Sequence, residues 1–171
     1  MPNYCSFSLK AVGKKENLEK LQEYLKQDYD YNDKKNYPTG KHFFRVFEVY
    51  TNESITAIDE DKDIHEMIVD GECAWSVFSC MFSGNATYYN DLKSRIPPED
   101  FKGITIPMAA KELNLKIEIF SEEPGWGFME HYLIDNDGQV LIDDCRDYEE
   151  QYDEETGETR AIGGIECVFT I

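Results

Sequence analysis

Residues 115–140 read Leu-Lys-Ile-Glu-Ile-Phe-Ser-Glu-Glu-Pro-Gly-Trp-Gly-Phe-Met-Glu-His-Tyr-Leu-Ile-Asp-Asn-Asp-Gly-Gln-Val, and they carry the pattern on which the fold reading rests. Residues 115–120 alternate between apolar and polar positions, which predicts a strand, and residues 128–134 do so again. Asp135-Asn-Asp-Gly138 falls between apolar runs that end at Ile134 and resume at Val140. Such a turn joins two antiparallel strands. Upstream, Pro124-Gly125 favours a tight turn with positive φ at the glycine. Trp126 then stands at the tip with Phe128 turned inward; alternatively, both aromatics close one end of the core.

Working outward, residues 105–114 read as a helix, with Thr105 as its cap and Pro107 in the first turn. Residues 3–12 alternate, with Tyr4, Ser6, Ser8 and Lys10 on one face and Cys5, Phe7, Leu9 and Ala11 on the other. They predict a strand that Gly13 ends. Residues 14–29 form an amphipathic pattern with Leu18, Leu21, Leu25 and Tyr29 on one stripe. Residues 30–40, with Pro38 and Gly40, are a polar loop. Aromatic and β-branched residues make 42–50 a strand. Residues 54–58 extend a hairpin and 59–63 form an exposed acidic turn. Residues 72–82, the most apolar segment, read as a buried strand, although their length also suits a helix. Residues 92–103, with Pro97 and Pro98, are a connection. Residues 143–160 are an acidic, exposed excursion, and 163–171 return to strand character through Ile165, Cys167, Phe169 and Ile171. With no repeat and no linker, residues 1–171 are expected to be a single α+β domain, its antiparallel sheet carrying two main helices on one face.

The chain of 171 residues has a formal charge of −18. Residues 1–50 hold nine Lys/Arg against seven Asp/Glu, residues 51–100 three against eleven, and residues 101–171 five against seventeen. The acidic excess thus lies beyond the first fifty residues. Direct contact with nucleic-acid phosphates or an anionic membrane requires clustered Lys and Arg, so both are disfavoured. A protein with a basic surface is the expected partner, since opposite charge speeds encounter. A merely solubilising surface is the plain alternative. No stretch approaches a membrane span of about 20 apolar residues, no signal peptide is read, and Cys5, Cys73, Cys80, Cys145 and Cys167 are odd in number and widely spaced. Reduced thiols in a cytoplasmic protein are expected.

Candidate chemistry is thin. Residues 135–144 invite an EF-hand reading, but Leu133 would fill the first ligand position and flanking helices are lacking, so a hairpin turn explains them and no metal is expected. His42, His65 and His131 are isolated in sequence. A Cys–His or carboxylate site would make the protein a small enzyme; buried strand cysteines are the plainer reading, with no catalytic residue and no cofactor. Gly125 and Gly127 lack the third glycine and following helix of a phosphate loop. The candidate partner-binding residues are the dense carboxylates Asp143, Asp144, Asp147, Glu149, Glu150, Asp153, Glu154, Glu155 and Glu158, together with Trp126; Asp59, Glu60, Asp61 and Asp63 form a second acidic cluster.

Met1-Pro-Asn-Tyr-Cys-Ser-Phe-Ser-Leu-Lys-Ala-Val-Gly13 resembles the opening strand of the YubB-type family of bacteriophage, plasmid and other mobile-element proteins. Residues 106–138, with the helix 107–113, the strand 116–120 and Glu-Glu-Pro-Gly-Trp-Gly-Phe, are similar to that family's C-terminal half. Ala74-Trp75-Ser76 is a loose echo of its tryptophan-rich middle. The two stretches cover a little over a quarter of the chain. The resemblance implies a ferredoxin-like core and a mobile-element origin, and supplies no catalytic residues. The expected function is non-enzymatic binding. One form is an anti-CRISPR-like, nucleic-acid-mimicking inhibitor that occupies the basic channel of a host defence enzyme. The other is an accessory protein-binding domain whose acidity only solubilises it.

Overall fold

β1 (Tyr4–Gly13) lies at the centre of the sheet because its alternation is complete: Cys5, Phe7, Leu9 and Ala11 are buried on one face. In the computed structural model, which describes residues 3–26, 41–43, 45–50, 55–82, 102–154 and 156–171, β1 pairs antiparallel with strands on both sides. One partner is β5 (Ile64–Ala74) and the other is β7 (Lys116–Glu123). The main sheet runs β3 (Val46–Tyr50), β5, β1, β7, β8 (Phe128–Ile134), β9 (Val140–Asp147), with β4 (Thr56–Asp59) also pairing β5, seven strands in all. Each of these pairings is antiparallel. Two short sheets stand apart: the parallel pair β2 (Lys41–His42) and β6 (Lys102–Gly103), and the hairpin β10 (Glu149–Asp153) and β11 (Glu158–Ile162).

Two α-helices occur among the described residues. In α1 (Lys15–Leu25), Leu18, Leu21 and Leu25 are buried. In α2 (Ile106–Leu113), Thr105 accepts a hydrogen bond from the Met108 N–H, and Asn114 closes the helix in the left-handed region. α1 packs against β1, β5 and α2, and α2 against β7 and β8, so both lie on the face bearing Leu9. Glu112 of α2 meets the Lys41 ammonium and accepts from the Tyr24 hydroxyl at 3.1 Å. The hydrogen bond from Lys41 holds its carboxyl below the ordinary carboxylate value.

The ferredoxin-like expectation fails. A ferredoxin-like chain runs β-α-β-β-α-β, whereas here the main sheet has seven strands and three of them follow the second helix. The fold is sheet-dominated. Part of the difference lies in β5, the longest strand, which alternation alone does not reveal. Met67, Val69, Gly71 and Cys73 face the core, but Ile68 faces out beside them. Residues 72–82 are not one buried strand. The strand ends at Ala74, Trp75 takes positive φ (66°), and residues 78–82 make a single π-helical turn. The acidic stretch 143–160 is built from β9, β10 and β11, and most of its described residues are exposed. Residues 163–171 form no strand. Tyr29, the loop 30–40, residues 51–54, residues 92–101 and Glu155 lie outside the described residues.

Candidate functional site

Trp126 stands at the tip of the turn between β7 and β8 and is 77% exposed, while Phe128 is partly buried. Its position is set by Glu123, whose buried carboxylate accepts the N–H groups of Gly125 (3.1 Å) and Trp126 (2.6 Å). The Glu123 carbonyl accepts the Gly127 N–H at 3.0 Å. Positive φ falls on Gly127 (69°) rather than on Gly125. A side chain at Gly127 would be strained by that φ and would press on the Tyr148 carbonyl. The Tyr148 N–H in turn donates to the Gly127 carbonyl at 2.7 Å, which places Trp126 beside the junction where β9 passes into β10.

The acidic residues expected to bind a partner begin at that junction. Within β9, alternation sends Asp143 and Asp147 to one face and Asp144 to the other, where it meets Arg146 at 2.7 Å. β9 is an edge strand, and such charges keep an open edge from pairing with another chain. Glu149 and Glu150 are exposed on β10, and Glu154 is exposed in the turn that follows it. Asp153 is half-buried and accepts the Thr156 N–H at 3.3 Å, while the Gly157 N–H donates to the Asp153 carbonyl at 2.8 Å. Asp153 therefore builds the hairpin turn. The side chains of Glu155 and Glu158 lie outside the described residues. Tyr152 (63% exposed) and Ile162 give the hairpin exposed apolar surface.

The second acidic cluster sits elsewhere. Asp59 caps a 3₁₀ turn at residues 60–62 and pairs with Lys62 at 2.9 Å, and Asp63 takes φ 53° in the same β4–β5 connection. That connection is at the β4 edge of the sheet, with β5, β1, β7 and β8 between it and β9. At about 4.8 Å per strand the two clusters lie roughly 20 Å or more apart, so they do not merge into one line of charge.

Two more buried glutamates, which sequence reasoning missed, do structural work. Glu130 accepts the N–H groups of Val77 (2.8 Å) and Phe78 (3.2 Å), the Ser121 hydroxyl (2.6 Å) and the Tyr132 hydroxyl (3.1 Å). It holds the start of the π-helical turn against the sheet. Glu118 accepts from the Thr170 N–H (2.6 Å), the Ile171 N–H (3.3 Å) and the Thr170 hydroxyl, and lies 2.9 Å from His131 Nε2. It straps the C-terminal segment across the outer face of the sheet, where Phe169 packs edge-on against Phe120. The signal for Glu130 was its register: it shares an inward parity with Tyr132 and Ile134.

Among the described residues, no group of three or more His, Cys, Asp or Glu side chains is placed to hold a metal ion. Asp135 spends its carboxylate on the Asp137 and Gln139 N–H groups (3.0 and 2.8 Å) within the hairpin turn. All five cysteines are free thiols. Cys73 sits against Cys5 and Cys80, and its hydrogen bonds with them, together with burial, hold its thiol well above the ordinary range. A nucleophilic cysteine needs the opposite shift. No helix among the described residues is long and apolar enough to cross a membrane. Comparison with known proteins found no matching family model, no matching curated protein and no matching solved structure.

Proposed function

We propose that the chain is a non-enzymatic binding protein that docks on a basic protein surface through the β10–β11 hairpin and the adjoining Trp126 turn. The observation that carries this reading is the seating of Trp126: an indole 77% exposed on a turn whose backbone is bonded to Glu123 and Tyr148, at the root of a carboxylate-rich hairpin. An exposed aromatic on a backbone already held in place supplies an anchor without ordering the loop on binding, and tryptophan is enriched in binding hot spots. The surrounding carboxylates supply steering and select a cationic partner while repelling nucleic acid itself. Within this reading the partner class is a nucleic-acid-binding enzyme of a host defence system, whose basic channel the protein would obstruct, and the setting is the cytosol, consistent with five free thiols. A mobile-element origin rests on the sequence resemblance of residues 1–13 and 106–138.

The test compares two variants of equal charge. One neutralises Asp147, Glu149, Glu150 and Glu154 to Asn or Gln. The other neutralises the exposed Glu16, Glu19, Glu60 and Asp61. Binding is measured to the partner recovered by affinity capture from nuclease-treated host extract, at two salt concentrations. The hairpin variant is expected to bind about tenfold more weakly at low salt and with a shallower salt dependence. Trp126→Ala is expected to lose about thirtyfold, the effect of a hot spot of about 2 kcal/mol. The matched control should stay within about threefold. Equal losses in the two charge variants, or no partner after nuclease treatment, would overturn the proposal.

A further inference from the structure

Among the described residues, the outer face of the sheet is covered over only part of its width. The strap of residues 163–171 crosses β7 and β8, whereas on the half made by β3, β5 and β1 Tyr50 and Ile68 are about half exposed. At the boundary lies a cavity of about 320 Å³. Its floor comes from four neighbouring strands. Ser8 stands opposite Asp70 on one side and Phe120 on the other, Ser6 opposite Glu122, and Tyr50 opposite Asp70. Cys167 of the strap forms its rim. A cavity of this size is at the lower end of those that take small ligands or a single large side chain.

Its chemistry is one-sided. Two carboxylates, three serines and three aromatic residues line it. The Asp70 carboxylate makes no hydrogen bond or ion pair among the described residues. Glu122 accepts the Tyr148 hydroxyl on Oε1 at 2.6 Å, which leaves Oε2 to receive a further donor. Glu72 and Glu48 lie on the same face beside it, and the Tyr50 hydroxyl is directed to Glu48 at 3.1 Å. Lys10, a cation on that face among the described residues, is drawn away to Glu66 at 2.8 Å. Among the described residues, the negative charge of the cavity is thus uncompensated. A guanidinium group matches it in each respect: its fork of N–H donors suits carboxylates and hydroxyls, its plane stacks on aromatic rings, and its alkyl stem suits the ring-lined wall.

We infer that this cavity is a receptor for an arginine side chain presented by a protein partner, a second contact beside the hairpin. The inference rests on the reading of a basic protein partner, yet it can be tested with a peptide alone. Amide chemical shifts of the whole isotope-labelled chain are followed while Ac-Gly-Arg-Gly-NH₂ is added, with Ac-Gly-norleucine-Gly-NH₂ as the uncharged comparator. The arginine peptide is expected to shift the amides of Ser6, Ser8, Asp70, Gly71 and Phe120, and the norleucine peptide to leave them in place. Asp70→Asn, an exposed change that leaves the fold intact, should weaken the arginine peptide about threefold, and Asp70→Asn with Glu122→Gln about tenfold, the range of exposed charge pairs. The hairpin variant should bind the peptide as the native chain does. Shifts confined to the hairpin, equal response to norleucine, or indifference to Asp70→Asn would overturn the receptor while leaving the hairpin reading standing. Peptide binding at the cavity together with partner capture indifferent to the hairpin variant would do the reverse.

Discussion

Glu118, Glu123 and Glu130 lie on β7 and β8, buried, and each accepts main-chain N–H groups from chain outside the regular strands: the C-terminal strap, the Trp126 turn and the π-helical turn. Glu149, Glu150 and Glu154 lie on or beside β10, exposed, and their carboxylates make no hydrogen bond or ion pair among the described residues. Both sets come from the same acidic half of the chain. The difference teaches that a net charge of −18 is not one property. Some of its carboxylates are internal connectors that hold irregular segments to a regular sheet, because a buried N–H without an acceptor costs about 1–3 kcal/mol. Others contribute nothing to the fold and are free to meet a partner.

Glu130 offers the largest test of that contrast. Glu130→Ala strands two main-chain N–H groups and two hydroxyls near the core, and should cost about 3–5 kcal/mol. Glu130→Gln, which keeps one acceptor oxygen, should cost roughly half as much. Chemical denaturation measures both. A loss below about 1 kcal/mol for the alanine variant would place Glu130 among the idle surface acids.

Glu118 and Glu123 come next, since the segments they hold are only partly buried. Glu118→Ala should cost about 2 kcal/mol and expose residues 163–171 to carboxypeptidase trimming. Glu123→Ala should cost about 1 kcal/mol, as the loss of a cap does, and should weaken partner binding by loosening Trp126. If trimming of the strap proceeds at the same rate with and without Glu118, the strap is held by the Phe169–Phe120 contact instead.

How much of this was legible follows the same division. β1 and α2 were readable because a strict alternation and a capped, proline-led helix leave few other choices. The Asp135–Gly138 turn was readable because its side chain and backbone bonds are local. β10 and β11 were hidden under their acidity: Thr156-Gly157 was a turn signal, with Gly157 at φ 71°, but charge pointed only to an exposed excursion. β5 was hidden by the outward Ile68 and the inward Gly71. A side chain at Gly71 would collide with the Phe7 ring at 2.6 Å, so the absence of one is a packing requirement of β1. Of the candidate site, Trp126 and the exposed hairpin acids were legible as residues, while their adjacency depends on the Tyr148–Gly127 bond between strands distant in sequence. The outer-face cavity could not be read at all, because four strands contribute to it.

The most direct measurement of the central claim is the footprint of the bound partner. Amide hydrogen exchange and oxidative labelling of the indole would be followed in the free chain and in the complex. The account predicts slower exchange over residues 147–154 and protection of Trp126, with residues 59–63 unchanged on binding. Protection of residues 59–63 or of α1, with the hairpin and Trp126 as reactive as in the free chain, would contradict it.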